Sequence, residues 1–250
     1  MKRLLFALLI GLHVMPGAFA SLSLENVQSG FIEGKQHYES QKFDLAIERY
    51  QTILQAGYYA PELFHNLGNA YFRNGDIGRA ILNFRRANRL APMDSAIQAN
   101  LQFAQKQTGA VIPPTPIWHA PIQVLPQRTW LLGLIASWWA CMLGLSAWFW
   151  FGRSSMLLKR VWASLAGLVV LFAAGYGMSV QLEQQREVVI LADKVEALFA
   201  PLPESVAHFS LPEGSVAAMV EQGERWMKIK SGKDSGWIPA NSCESVYPWQ

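Results

Sequence analysis

The chain has 250 residues, 51% of them apolar, with a net charge of +3, a length that accommodates more than one unit of the usual ~100–200 residues. Residues 21–112 carry nine basic and eight acidic side chains and residues 181–250 six and ten, so no folded segment has the concentrated Lys/Arg face that neutralises phosphates, and nucleic-acid binding is set aside. The two cysteines, Cys141 in an apolar run and Cys243 in a polar segment, exclude a disulfide framework.

The chain opens with Lys2-Arg3, an apolar stretch from Leu4 to Val14 too short to span a bilayer, and small residues before Ala20. This is the pattern of a secretory signal peptide over residues 1–20, which places the next segment of the chain outside the cytoplasm.

Residues 27–94 repeat with a period of 34, which indicates stacked helix-turn-helix units. In the second copy, 61–94, Phe64, Leu67, Gly68, Tyr71, Ala80, Phe84, Ala87 and Pro92 fall at the tetratricopeptide positions for large, large, small, aromatic, small, aromatic, small and proline. The small residues let two antiparallel helices touch while Leu67, Tyr71 and Phe84 fill the space beside them. Gly75 suits a left-handed helix end and Asp76 the start of the next helix. The first copy, 27–60, keeps Gly34, Tyr38, Phe43, Ala46, Tyr50 and Ile53 but has Gln41 where the turn glycine belongs. A capping helix is expected over 95–106, completing a helical domain over 21–110. The concave face, built from the first helix of each repeat, would present Lys35, Tyr38, Glu39, Glu62, His65, Asn66, Asn69, Phe72, Arg73, Gln102 and Lys106. Read as a site, it binds a peptide or partner helix; read plainly, these are solvated helix residues. Asn69 and Arg73 are the leading pair, since amide and guanidinium groups together suit a carboxylate or peptide backbone.

Five prolines between Thr108 and Gln127 exclude helix and central strand, and residues 111–129 read as an extended spacer holding the helical domain off the bilayer. Residues 130–151 and 161–180 each run without a charged side chain, long enough as helices to cross a ~30 Å hydrocarbon layer. The connector 152–160 holds Arg153, Lys159 and Arg160 and no acid, so the positive-inside rule makes it cytoplasmic. Six of the ten tryptophans lie in these spans, several close to the ends where indoles anchor at the interface. No ionisable residue sits inside either span, which argues against transport.

From Glu187, within an expected domain of residues 181–250, the pattern turns to short β-rich runs, Val188–Leu191, Val195–Phe199, Val206–Ser210, Val216–Val220, Trp226–Ile229 and Gly236–Ile238, punctuated by Gly and Pro, which predicts a small all-β barrel. Leu211-Pro212-Glu213-Gly214, Trp226-Met227-Lys228-Ile229 and Gly236-Trp237-Ile238-Pro239 resemble the turn, central strand and closing strand of bacterial SH3-like domains. Trp226 and Trp237 are candidates to line a groove there, with core the preferred reading for Trp237.

A signal peptide, an all-α tetratricopeptide array, a two-helix transmembrane hairpin and an SH3-like tail in this order resemble the BatE-type proteins of the Bacteroides aerotolerance (Bat) group. The resemblance implies a non-catalytic, multi-pass scaffold in the bacterial inner membrane, with both folded units periplasmic. Its implied partners are von Willebrand factor A-type Bat proteins and a MoxR-type ATPase. The contrasting reading is a cell-wall sensor whose SH3-like domain binds peptidoglycan; the nine-residue connector is short for a signalling element. For an enzyme, the phosphate loop, nucleophile elbow, Cys–His pair and metal-spaced histidine cluster are all missing, with His37, His65, His119 and His208 scattered. No catalytic residue, cofactor or metal is expected.

Overall fold

A computed structural model of the 250-residue chain describes residues 24–112, 122, 125, 127–151, 156–184 and 186–247. The expected signal peptide and much of the Pro-rich linker lie outside the described residues, as do residues 152–155 of the connector.

Five helices form the first unit: α1 (Leu24–Glu39), α2 (Phe43–Gln55), α3 (Pro61–Asn74), α4 (Ile77–Leu90) and α5 (Ser95–Thr108). Sequence sets their ends. Pro61 occupies the first turn of α3, where a missing N–H costs nothing. Gly75 closes α3 at φ 90°. The Asp76 carboxylate accepts the Arg79 N–H at 3.0 Å, and Asp94 accepts from Ala96 and Ile97 at the start of α5, each satisfying amides the helix leaves free. Gln41, one period before Gly75, takes the same left-handed conformation at φ 59°. The turn of the first repeat is therefore formed without the glycine, at the cost of Cβ strain.

The repeats share one packing device. A Cβ on Gly68 would lie 2.7 Å from the Phe84 ring, and one on Gly34 would lie 2.5 Å from the Tyr50 ring. In each repeat a glycine of the first helix receives an aromatic ring of the second. Phe84 and Tyr50 are each 1% exposed, and burial lifts the Tyr50 hydroxyl to a pKa of about 12.

Two long apolar helices come next, α6 (Gln127–Phe151) and α7 (Met156–Gln184). Both are long and apolar enough to span a membrane and are largely uncovered by the rest of the chain. They pack by the same ring-on-glycine device: Phe172 lies against Gly133 and Trp130 against Gly175. Residues 156–160 of the expected connector form the first turn of α7.

Seven strands follow among the described residues, β1 (Glu187–Ile190), β2 (Lys194–Leu198), β3 (Ala207–Pro212), β4 (Val216–Gln222), β5 (Trp226–Ser231), β6 (Asp234–Pro239) and β7 (Cys243–Ser245). They form one antiparallel sheet in the order β3-β2-β6-β5-β4-β1-β7. Six of them fall within a few residues of the expected runs; β7, three residues long, matches none of those runs. Val188, Ile190, Val195, Ala197, Met227, Ile229 and Ile238 form the core of the sheet. Cys243 lies in that core, its Sγ 3.5 Å from the Met227 sulfur, and neither cysteine is paired.

The helical unit and the sheet share a core. Ile81 and Leu82 of α4 lie in one buried cluster with Val189, Val216, Val246 and Tyr247 of the sheet. Around this seam the Arg85 guanidinium pairs with Glu187 at 2.6 Å and Arg86 with Glu244 at 2.7 Å. Arg86 also donates to the Ser245 carbonyl, and Arg89 bonds the Tyr247 hydroxyl. Val111 makes two hydrogen bonds at the entry to β4: its N–H donates to Ser215 Oγ, and its carbonyl accepts from Val216, each at 3.0 Å. Sequence patterning separates the two units; the folded chain welds them along α4.

Candidate functional site

α4 packs against the sheet, and the residues singled out from sequence lie on α1, α3 and α5, on a face where Lys35, Glu39, Glu62, Gln102, Phe103 and Lys106 are exposed. At its centre Asn100 of α5 donates to Asn69 Oδ1 at 3.0 Å and stands 2.8 Å from His65 Nε2. Since the Asn100 amide can only donate in both contacts, His65 carries its proton on Nδ1. Burial, partly offset by the Asp94 carboxylate, lowers the His65 pKa and so favours the neutral ring.

Aromatic surface flanks this polar centre. Phe72 meets Phe103 at a ring-centroid distance of 5.5 Å, and Phe103 is 55% exposed. The Arg73 guanidinium lies over the Phe43 ring at 5.2 Å, which in turn packs edge-on to Tyr38 at 5.5 Å. Lys35 and Glu39 form an exposed i,i+4 pair at 3.8 Å, of little energetic weight. Asn66 is half-buried, while Glu62, Gln102 and Lys106 are exposed.

His65 and Asn69 are thus drawn together through Asn100, whereas Arg73 is held by an aromatic ring. Asn100 and Phe103 are absent from the sequence-derived set. The period of 34 carried both: stepping from Asn66 lands on Asn100, and from Asn69 on Phe103.

A family model for the tetratricopeptide repeat matches residues 61–94. The chain carries a tetratricopeptide repeat. A TPR repeat-containing protein of Pseudomonas aeruginosa is 42% identical over 60 residues, a match covering 24% of this chain and 24% of that relative, so the chain spans about a quarter of its length. Tetratricopeptide repeats serve as protein–protein interaction scaffolds, and the face of α3 and α5 here combines amide groups with the exposed Phe103 ring, chemistry suited to peptide backbone and apolar side chains.

The second candidate set lies on the sheet. Trp226 pairs with Pro239, and Lys228 with Trp237, so Trp226, Lys228 and Trp237 share one face while Met227, Ile229 and Ile238 point into the core. Both tryptophans are half-buried, and the Lys228 ammonium sits 5.6 Å from the Trp237 ring centre, a cation–π contact. The core position preferred for Trp237 is filled by Ile238, 0% exposed. Among the described residues, no group of three or more His, Cys, Asp or Glu is placed to hold a metal ion.

Proposed function

We propose that the chain is a non-catalytic, membrane-anchored adaptor. It binds protein partners through the face formed by α1, α3 and α5, with Lys35, Tyr38, His65, Asn66, Asn69, Phe72 and Arg73 as contacts. The observation that carries this reading is the division of labour within one repeat array: α4 packs on the sheet, while α3 and α5 keep a polar centre beside the exposed Phe103 ring. α6 and α7 anchor the molecule as a hairpin in a bacterial inner membrane, the connector around 152–160 is cytoplasmic, and both folded units are periplasmic. The resemblance to BatE-type proteins supports von Willebrand factor A-type Bat proteins as partners in an envelope-stress complex.

The test uses the full-length protein in its native membrane, with a photo-crosslinking residue at Phe103 or, as a control, at Lys233 on the far side of the sheet. Protein adducts from Phe103 that are absent from Lys233 and lost on Asn100→Ala are expected. Equal adducts at both positions, or capture of cell-wall glycan alone, would overturn the adaptor reading; the latter outcome points to the cell-wall sensor. A reporter inserted at Ser154 should read cytoplasmic, and a periplasmic signal would invert the topology.

A further inference from the structure

α4 runs down the side of the sheet, and three contacts give its direction. Near its start the Gly78 N–H donates to Glu213 Oε1 at 2.6 Å, in the turn between β3 and β4. Two turns later Arg85 pairs with Glu187, the first residue of β1. At its end the Arg89 guanidinium donates to the Leu182 carbonyl at 3.4 Å. Leu182 closes the apolar stretch Lys159–Leu182 of α7, and its carbonyl is one of those a helix C-terminus leaves without an intrahelical partner. α4 therefore descends from the far end of β1 toward the end of the membrane helix, and the corner after it, residues 90–94, is next in line. Apolar side chains stand out from that corner: Leu90 is 41% and Met93 72% exposed.

The sheet makes a second approach to the same level. Glu187 pairs with Ala218, and the Met219 N–H donates to the Arg186 carbonyl at 2.7 Å, so β4 continues past the start of β1 toward the end of α7. There the β4–β5 ladder steps from Met219↔Ile229 to Glu221↔Lys228. The extra residue, Val220, is a β-bulge, a feature that re-aims a side chain, and it is 56% exposed.

We infer that Leu90, Met93 and Val220 form a lipid-contact surface that rests in the interfacial layer of the bilayer. This inference rests on the reading of α6 and α7 as membrane spans. The occupant is lipid rather than another protein because both approaches end beside the span: Arg89, adjacent to Leu90, bonds the carbonyl of Leu182, the last apolar residue of α7, and Met219, adjacent to Val220, bonds Arg186 two residues past the end of that helix. Shallow burial of apolar side chains at the headgroup–acyl boundary is the general mode of interfacial attachment. The contact fastens the folded units to the membrane at two points near the α7 terminus, one from the corner after α4 and one from β4.

The experiment is a depth measurement on the full-length chain in liposomes, with single spin labels at M93C, V220C, L143C and K233C. Both native cysteines are buried, which leaves the introduced ones as the reactive positions. Collision with oxygen, which concentrates in lipid, is compared with collision with a polar nickel chelate. Leu143, 70% exposed on α6, reports the span, and Lys233, in the turn at the far end of β5, reports water. Oxygen exceeding chelate at Met93 and Val220, with the reverse at Lys233, is expected. If Leu143 reads lipid but Met93 and Val220 both read water, the lipid-contact surface is wrong and the spans stand. Low collision with both probes at Met93 and Val220 means that protein covers them and also overturns the proposal. If Leu143 itself reads water, the span reading falls and takes the inference with it. Because the two positions lie in different units, misfolding of one variant leaves the other to decide.

Discussion

Gly214 is the position at which the seam between helices and sheet can be broken with a single methyl group. It sits at φ 76°, and a Cβ there would lie 2.2 Å from Ile81 Cδ1 and 3.3 Å from Thr108 Oγ1. Gly214→Ala therefore carries two costs, about 1 kcal/mol for an L side chain in the left-handed region and about 1–3 kcal/mol for overpacking. Ile81 Cδ1 is the far end of a side chain and would normally swing away, but Ile81 is 0% exposed, so close packing on every side limits the relief. Gly232 supplies the control: φ is 62° and nothing lies within 4 Å of its Cβ position, leaving only the backbone cost. The assay is amide hydrogen exchange of Val216, whose N–H bonds across the seam to Val111, on full-length protein in detergent. A combined ~2–4 kcal/mol corresponds to roughly 30- to 700-fold faster exchange at Val216 in Gly214→Ala. Gly232→Ala should change it by about 5-fold or less. Equal acceleration in the two variants would mean that the helical unit does not press on this turn, and the welded architecture would be refuted.

Gln41→Gly removes the Cβ strain of the first-repeat turn at the expense of unfolded-state entropy, and should stabilise the helical unit by about 0.5–1 kcal/mol in denaturant titration; a loss would show that the glutamine side chain makes a compensating contact. Gly68→Ala should destabilise the same unit by about 1–3 kcal/mol, with Phe84→Leu in the same chain recovering part of the loss. Burial, reinforced by Glu244, pushes the Cys243 thiol up to about 11, so it stays protonated and should resist alkylation at pH 8 until the sheet unfolds, as mass spectrometry would detect. The lowered pKa of His65 means that its proton is taken up more readily by the unfolded chain. Its contribution is then complete above the unfolded value of ~6.5 and is lost as the pH falls below it. The denaturant midpoint should drop between pH 7.5 and 5.5, and drop less in His65→Gln; an identical pH dependence would remove His65 from the half-buried amide network.

Local packing rules were legible wherever one repeat unit satisfied them alone. Gly68, Ala80 and Phe84 announce a helix pair because the small and large positions must face each other, and the structure shows Phe84 lying where a Gly68 side chain would be. Gln41 weakened the first repeat as a pattern without weakening it as a turn, since a left-handed residue is costly rather than forbidden. Asn100 was recoverable from the period of 34, but a capping helix is expected to be polar, and that expectation hid it. β7 escaped because three residues, Cys243-Glu244-Ser245, cannot display an alternation.

The seam was invisible for a different reason, and that reason matters for function. Arg85, Arg86 and Arg89 occupy the polar side of an amphipathic helix, where arginine ordinarily means solvent. Only their partners Glu187, Glu244, Tyr247 and the Leu182 carbonyl, about a hundred residues or more along the chain, turn them into a docking face. Arg86 is 6% exposed, far below what a solvated arginine would show, and its charge is tolerated in the interior because a carboxylate and a main-chain carbonyl meet it there. A sequence read element by element assigns such residues to no role, since the complementarity belongs to neither element alone. With α4 packed on the sheet through these pairs, the helices of the proposed binding face, α1, α3 and α5, stay joined to the sheet and, through Arg89 and the Leu182 carbonyl, to the end of α7, so a partner's pull on that face would be borne by α4.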